Sequence, residues 1–259
     1  MSVLVLTLGA PLQSWGSESR FSRRMTEAAP TKSGVIGLLA AAQGRRRTDP
    51  LEDLLGLRFA VRIDQPGSVL RDFHTASRLT NRSISMPLSN RYYLEDAVFT
   101  AYLEGPDDLI AGIAENLSRP VFPLYLGRRS CPPARYPFHK VVEKDLADAI
   151  HDEPWAASEH IREHHRSSHA VLTVLADTGI ELGGTVTAKR RVPDVPVSFD
   201  SDRRRYSTRE VVETTVEVSR CASDTHREAR PAAKASSSGM GAARVGNDYA
   251  DPWSPFDEE

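Results

Sequence analysis

LRFAVRIDQPGSVLRDFHTASRLTNRSISMPLSNRYYLEDAVFTAYLE, residues 57–104, decides how this chain folds. Its first eight residues alternate. Leu57, Phe59, Val61 and Ile63 face one way, and Arg58, Ala60, Arg62 and Asp64 the other, the period-two pattern of a half-buried strand. Gln65-Pro66-Gly67-Ser68 is a turn. VLRDF (69–73) and YLEDAVFTAYLE (93–104) are further strand-like runs. Between them, Phe73 to Tyr93 carries Arg78, Arg82 and Arg91, contains no acidic residue and has little apolar periodicity. A basic, Ser/Thr/Asn-rich arm projecting from a sheet suits the gripping of a polyanion. A long solvated hairpin loop is the plain alternative.

Working outward, Val3 to Leu8 is a short apolar run closed by Gly9 and Pro11, and reads as a buried strand. A long loop follows, with Trp15, Gly16, Arg20, Arg23 and Arg24. Ser33 is the predicted N-cap of a helix over GVIGLLAAAQ, with Gly44 as its C′ residue. Val35, Ile36, Leu38 and Leu39 supply its apolar face. Arg45, Arg46 and Arg47 sit just past its end, where they complement the helix dipole. PLEDLLG (50–56) gives one or two helical turns. On the far side of the arm, Gly105-Pro106-Asp107 stops a strand and opens the helix DDLIAGIAENLS, and Val121 to Leu126 is a short strand. The order β-α-β-arm-β-α-β is that of a ferredoxin-like (RRM-like) α+β domain with the arm inserted in its central hairpin.

Arg128-Arg129-Ser130-Cys131-Pro132-Pro133 is a basic, proline-rigid loop. Residues 141–169 read as helical and His-rich. Ala170 to Ala176, Gly184 to Thr187 and Glu210 to Val218 read as strands of a second, smaller, β-rich C-terminal region. Residues 220–259 contain no Leu and no Ile, and cannot bury enough apolar surface to offset ordering entropy, so a disordered tail is predicted. Its last residues, YADPWSPFDEE, are acidic and aromatic, a short docking motif or an inert end. The expected division is 1–140 with the arm at 73–93, 141–219, and the tail 220–259.

The composition is that of an ordinary globular protein, with 40% hydrophobic and 26% charged residues. No run is apolar enough to span a bilayer. The N-terminus lacks the basic leader of a signal peptide. Cys131 and Cys221 are the two cysteines, too few for a disulfide framework, and point to the cytoplasm. The net charge of −2 hides an asymmetry: residues 1–140 hold 18 Lys and Arg against 13 Asp and Glu, the remainder 15 against 22. A basic N-terminal portion facing a polyanionic partner follows.

Thr31-Lys32-Ser33-Gly34 opens a helix but lacks the glycines of a Walker A loop, which excludes nucleotide hydrolysis on that motif. A helix N-terminus with a hydroxyl cap and a lysine still makes a ready anion site. Six of the eight histidines lie between 139 and 169. His160/His164 and His165/His169 have the i,i+4 spacing of a helical metal pair, but no HExxH pattern accompanies them, so a solvated face is the expectation. The strand EDAVFTAYLE lacks the RRM stacking signature, so RNA recognition would fall to loops and the arm. Single-stranded RNA is held by arginines on phosphates and aromatic faces under bases, and Trp15, Tyr92, Tyr93 and Tyr125 lie near the basic loops.

The blocks GAPLQSWG (9–16), PTKSGVIGLLAAAQGR (30–45), LRFAVRID, DFHT (72–75), NRYYLEDAVFTAYLE (90–104) and PLYLGRRSCPP (123–133) together resemble the CasD family of type I-E CRISPR Cascade subunits, within the RAMP superfamily. The match covers most of the first 140 residues and is loose beyond. The resemblance implies a ferredoxin-like RAMP domain whose arm is an extended thumb. It implies a non-catalytic subunit capping the 5′ handle of the CRISPR RNA, beside the repeating backbone subunit and the large subunit, with no cofactor or metal. The RNA contacts it implies are Gln13, Trp15, Arg20, Lys32, Ser33, His74, Arg78, Arg82, Arg91, Tyr92, Arg128 and Arg129. Some relatives in other CRISPR subtypes cut repeat RNA without metal through a Tyr, Lys and His grouping. Tyr92, Lys32 and His74 are the corresponding residues for that alternative, and an adaptor that binds only protein is a third.

Overall fold

The apolar run at the N-terminus forms β1 (Ser2–Gly9), in which Val3, Leu4, Leu6 and Leu8 are all fully buried. Its two short successors are β2 (Leu12–Gln13) and β3 (Arg23–Arg24). Next come α1 (Lys32–Ala42), α2 (Glu52–Leu55), β4 (Arg58–Gln65), β5 (Ser68–His74), β6 (Ser89–Glu95) and β7 (Val98–Gly105). The chain continues through α3 (Asp107–Ser118), β8 (His139–Val142), α4 (Leu146–Asp152), α5 (Glu159–His164), β9 (His169–Asp177), β10 (Val186–Ser198) and β11 (Arg205–Ser219). This computed structural model describes residues 1–16, 23–75, 88–134, 138–200 and 203–220. The predicted tail therefore lies outside the described residues, apart from Arg220, as does Cys221.

Seven strands form one antiparallel sheet in the order β10-β11-β9-β4-β7-β1-β8. Its β4-β7-β1-β8 half carries α1 after β1 and α3 after β7. A smaller sheet is built on β6, which takes β5 along one edge and both β2 and β3 along the other. The loop after β1, expected to be irregular throughout, thus supplies two short strands that tie it to the base of the arm.

Both faces of the central strands of the large sheet are covered. Leu4, Leu6, Leu8, Phe59, Val61, Phe99 and Leu103 meet α1 and α3 on one face. Val3, Val5, Ala60, Tyr102 and Val174 meet α4 and Trp155 on the other. β4 therefore corrects the expectation of a half-buried strand. Its polar face is interior because Arg62 spends its donors there: Nη1 donates to the Ile150 and Glu153 carbonyls at 2.8 and 2.6 Å, and Nη2 to the Pro154 carbonyl at 2.8 Å. Asp64 pairs with Arg62 at 2.9 Å and accepts from Thr100 Oγ1 at 2.7 Å and the Ala156 N–H at 2.9 Å. A buried charge is tolerated when it is paired and fully hydrogen-bonded, and here the partners come from a loop some ninety residues later.

Other expectations are corrected too. The N-cap of α1 is Thr31, not Ser33: its Oγ1 accepts from the Gly34 N–H at 3.2 Å. Residues 121–126 are not a strand. Pro120 and Pro123 remove two ladder donors, and the Val121 and Phe122 N–H groups instead donate to the Ala42 and Ala41 carbonyls at 3.0 and 3.2 Å, closing the end of α1. β8 takes the expected place in the sheet. The strands beyond residue 169 do not form a second sheet, because β9 pairs with β4 and extends the first. β10 runs far past Thr187 despite Pro193 and Pro196, which an edge strand with register shifts tolerates. The 141–169 stretch is part strand, two short helices and loop.

Candidate nucleic-acid interface

α1 organises the site, and its two ends differ in kind. At the N-terminus the Lys32 N–H donates to Asp194 Oδ2 at 2.8 Å. The Lys32 side chain is buried, with Nζ donating to the Leu57 carbonyl at 2.8 Å and Asp177 Oδ2 at 3.1 Å. Arg209 completes the cluster, with Nε 2.7 Å from Asp194 Oδ1 and Nη1 2.6 Å from Asp177 Oδ1. Burial alone would make the Arg209 guanidinium easier to deprotonate, but the two carboxylates outweigh it and raise its pKa above the ordinary value. The anion site expected here is filled from within by Asp194.

Gln13 and Trp15 are likewise interior. Gln13 is fully buried, its Nε2 donating to the Leu8 and Ala97 carbonyls at 3.0 and 2.7 Å. Its Oε1 accepts from Trp15 Nε1 at 3.1 Å. Trp15 lies flat enough on α1 that a Cβ at Gly34 would stand 2.7 Å from Trp15 Cε3. Ser33 is buried beside Thr31, oxygen to oxygen 3.3 Å. The family resemblance groups these residues with the RNA contacts; the structure uses Gln13 and Lys32 as internal braces, and leaves Trp15 and Ser33 as floor.

A cleft of about 1100 Å³ runs along α1 from Thr31 and Ser33 and widens into its arginine-rich rim past the helix C-terminus. Among the described residues seven arginines line it, Arg24, Arg45, Arg46, Arg47, Arg128, Arg129 and Arg204, and no Asp or Glu does. Phe122, Tyr125, Phe199 and Tyr206 add aromatic surface, with Trp15 buried beneath it. Gly44, at φ 76°, ends the helix and sends Arg45, Arg46 and Arg47 to the rim. Arg45 is held by Asp53, whose hydrogen bond raises its pKa above the ordinary value. The loop carrying Arg128 and Arg129 crosses the chain at Ser14 so closely that a Cβ at Gly127, φ 86°, would fall 1.6 Å from the Ser14 carbonyl oxygen. Arg128 reaches the Arg24 carbonyl at 2.9 Å and lies 4.7 Å from the centre of the Tyr93 ring. Arg129 is exposed.

The base of the arm adjoins this edge. Arg91, on β6, faces Asp72 on β5 and Arg24 on β3. Arg23 stacks 5.8 Å above the Tyr92 ring. His74 Nε2 lies 2.5 Å from Asp72 Oδ2. Arg20, Arg78 and Arg82 lie outside the described residues. Sequence reasoning passed over Arg45, Arg46, Arg47, Arg204, Phe122 and Tyr206. Two Arg triplets, 45–47 and 203–205, were the available signal.

Of the histidine pairs, His160 and His164 share α5 with ring centres 4.2 Å apart, whereas His165 caps that helix and His169 opens β9. Among the described residues no three metal-binding side chains converge, and no helix is long and apolar enough to cross a membrane.

Residues 3–212 match the family model described as CRISPR-associated protein (Cas_Cas5). The chain is 35% identical over 150 residues to the CRISPR system Cascade subunit CasD of Escherichia coli K12, covering 51% of this chain and 67% of that protein. Among solved structures it resembles a chain of a CRISPR RNA-guided surveillance complex, with a TM-score of 0.68, 32% identity, and 84% and 91% of the two chains covered. It also resembles a crystal structure of a Cas protein, with a TM-score of 0.61, 34% identity, and 82% and 94% covered.

Proposed function

Since this chain belongs to the Cas5 family of CRISPR-associated proteins, we propose that it is a non-catalytic RNA-binding subunit of a type I-E Cascade complex, capping the 5′ handle of the CRISPR RNA. The observation that carries this reading is the cleft: seven arginines, aromatic surface and, among the described lining residues, no carboxylate suit a single strand's phosphates and bases. The strand order β4-β7-β1-β8, with a helix after β1 and after β7, supports a ferredoxin-like RAMP domain over 1–140. β5 and β6 are then the root of its thumb at 73–93, and residues 141–219 extend the sheet. Arg91, Tyr92, His74, Arg128 and Arg129 contact the handle, joined by Arg20, Arg78 and Arg82. Gln13, Trp15, Lys32 and Ser33 shape the floor beneath it. The backbone subunit and the large subunit are the neighbours, in the cytoplasm.

The nuclease alternative needs a free Lys32 near Tyr92 and His74. The Lys32 ammonium is instead buried on a carbonyl and Asp177, which supports the non-catalytic reading. The test is copurification. A complex carrying Arg91, Arg128 and Arg129 all replaced by Ala is expected to lose most of its guide RNA, and full retention overturns the proposal. Site-specific cleavage of repeat RNA by the purified chain, lost on His74→Ala, would point to the enzyme.

A further inference from the structure

The β10–β11 hairpin outruns the sheet that holds it. β9 pairs with β11 only from Val211 to Ser219. The outer stretch, where Val192 faces Arg209 and Ser198 faces Arg205, has no third strand beside it among the described residues. At the end of that stretch the hairpin carries Arg203, Arg204, Arg205 and Tyr206, all exposed. Two contacts fix this outer part against α1. The first is the ionic cluster, in which Arg209 holds Asp194 and Asp194 takes the Lys32 N–H. The second is Phe199, which lies on the helix at Gly37, where a Cβ would meet Phe199 Cζ at 3.6 Å. With the hairpin so fixed, Arg204 and Tyr206 line the same cleft as Arg128 and Arg129, but from a different element.

We propose that the β10–β11 hairpin is a second grip on single-stranded RNA, separate from the arm, in which Tyr206 stacks a base and Arg204 meets a phosphate. This rests on the reading of the cleft as the RNA site. The chemistry favours a single strand, since a ring beside a guanidinium offers a face to any unpaired base and a charge to the phosphate next to it.

The experiment titrates the full-length chain against a fluorescently labelled single-stranded RNA oligonucleotide across a salt series. Tyr206→Ala is expected to weaken binding about ten-fold, and Tyr206→Phe, which keeps the ring, to restore it. Arg204→Ala is expected to reduce the slope of log affinity against log salt by about 0.7, the share of one phosphate on a single strand. Thermal midpoints of these variants should stay with the parent, because both side chains are exposed. If neither variant changes affinity or slope while Arg128→Ala and Arg129→Ala still weaken binding, the hairpin grip is overturned and the cleft reading stands. If the parent chain shows no salt-dependent RNA binding, both fall.

Discussion

The two ends of α1 carry the same kind of signal in the sequence and do opposite things in the fold. At the N-terminus stand a hydroxyl cap and a lysine, the ingredients of an anion site, and the anion is already there as Asp194. At the C-terminus stand three arginines that the helix dipole alone would account for; Arg45 is paired with Asp53, and all three open on a cleft with no Asp or Glu among its described lining residues. The difference lies in what arrives from far along the chain. Asp194 comes from 162 residues away to close one end. The segment 121–134 and the β10–β11 hairpin bring more arginines to the other. Local charge says that a counter-ion is wanted. Only tertiary structure says whether the protein supplies it.

That contrast can be broken or sharpened by mutation. The largest effect is expected at the closed end: Asp194→Ala removes one of the two carboxylates that hold Arg209 and leaves the Lys32 N–H without its acceptor, and should cost about 3 kcal/mol in urea unfolding. Gly34→Ala presses a methyl into Trp15 and should cost about 1–3 kcal/mol by the same measurement. At the open end the currency changes. Arg46→Ala with Arg47→Ala should shift stability by less than about 0.5 kcal/mol, yet lower the salt slope of RNA binding by roughly 1.4. An equal loss of stability at both ends would erase the distinction.

The smallest effect concerns pH. The hydrogen bond from Arg45 holds the Asp53 carboxyl below its ordinary pKa. On acidification the unfolded chain takes up that proton first. The stabilisation is therefore complete above the ordinary carboxylate pKa and fades as pH falls through the lower folded-state value. Asp53→Asn should flatten that acid limb, measured as the thermal midpoint against pH, by less than about 1 kcal/mol because the pair is partly exposed.

Elements set by their own residues were legible in advance. The apolar run at 3–8 became β1, Gly105-Pro106-Asp107 opened α3, and Gly44 ended α1. Elements decided by partners were not. The alternation at 57–64 separates two faces correctly, but whether the polar face meets water depends on carbonyls near residue 150. Val121 to Leu126 has the look of a strand and is diverted by the need to satisfy helix carbonyls. The site divides the same way. Arg128 and Arg129 were read from a basic loop and do line the cleft, whereas Gln13 and Lys32 have the right chemistry and are consumed internally. Arg204 and Tyr206 could be placed only once β11 was known to join the main sheet.

The sheet order also sets a schedule for the nascent chain. β1 is synthesised first but lies between β7 and β8, with Ser2 opposite Gly105 and Leu6 opposite His139. It therefore waits from Gly9 until Val98 for its first ladder partner and until His139 for its second. Such long-range pairing folds slowly, and an apolar strand that waits with both edges open is a target for chaperones and for aggregation. Chains truncated ahead of β8 would leave one of those edges open permanently, so their expression should fail through insolubility before it fails through loss of RNA contacts.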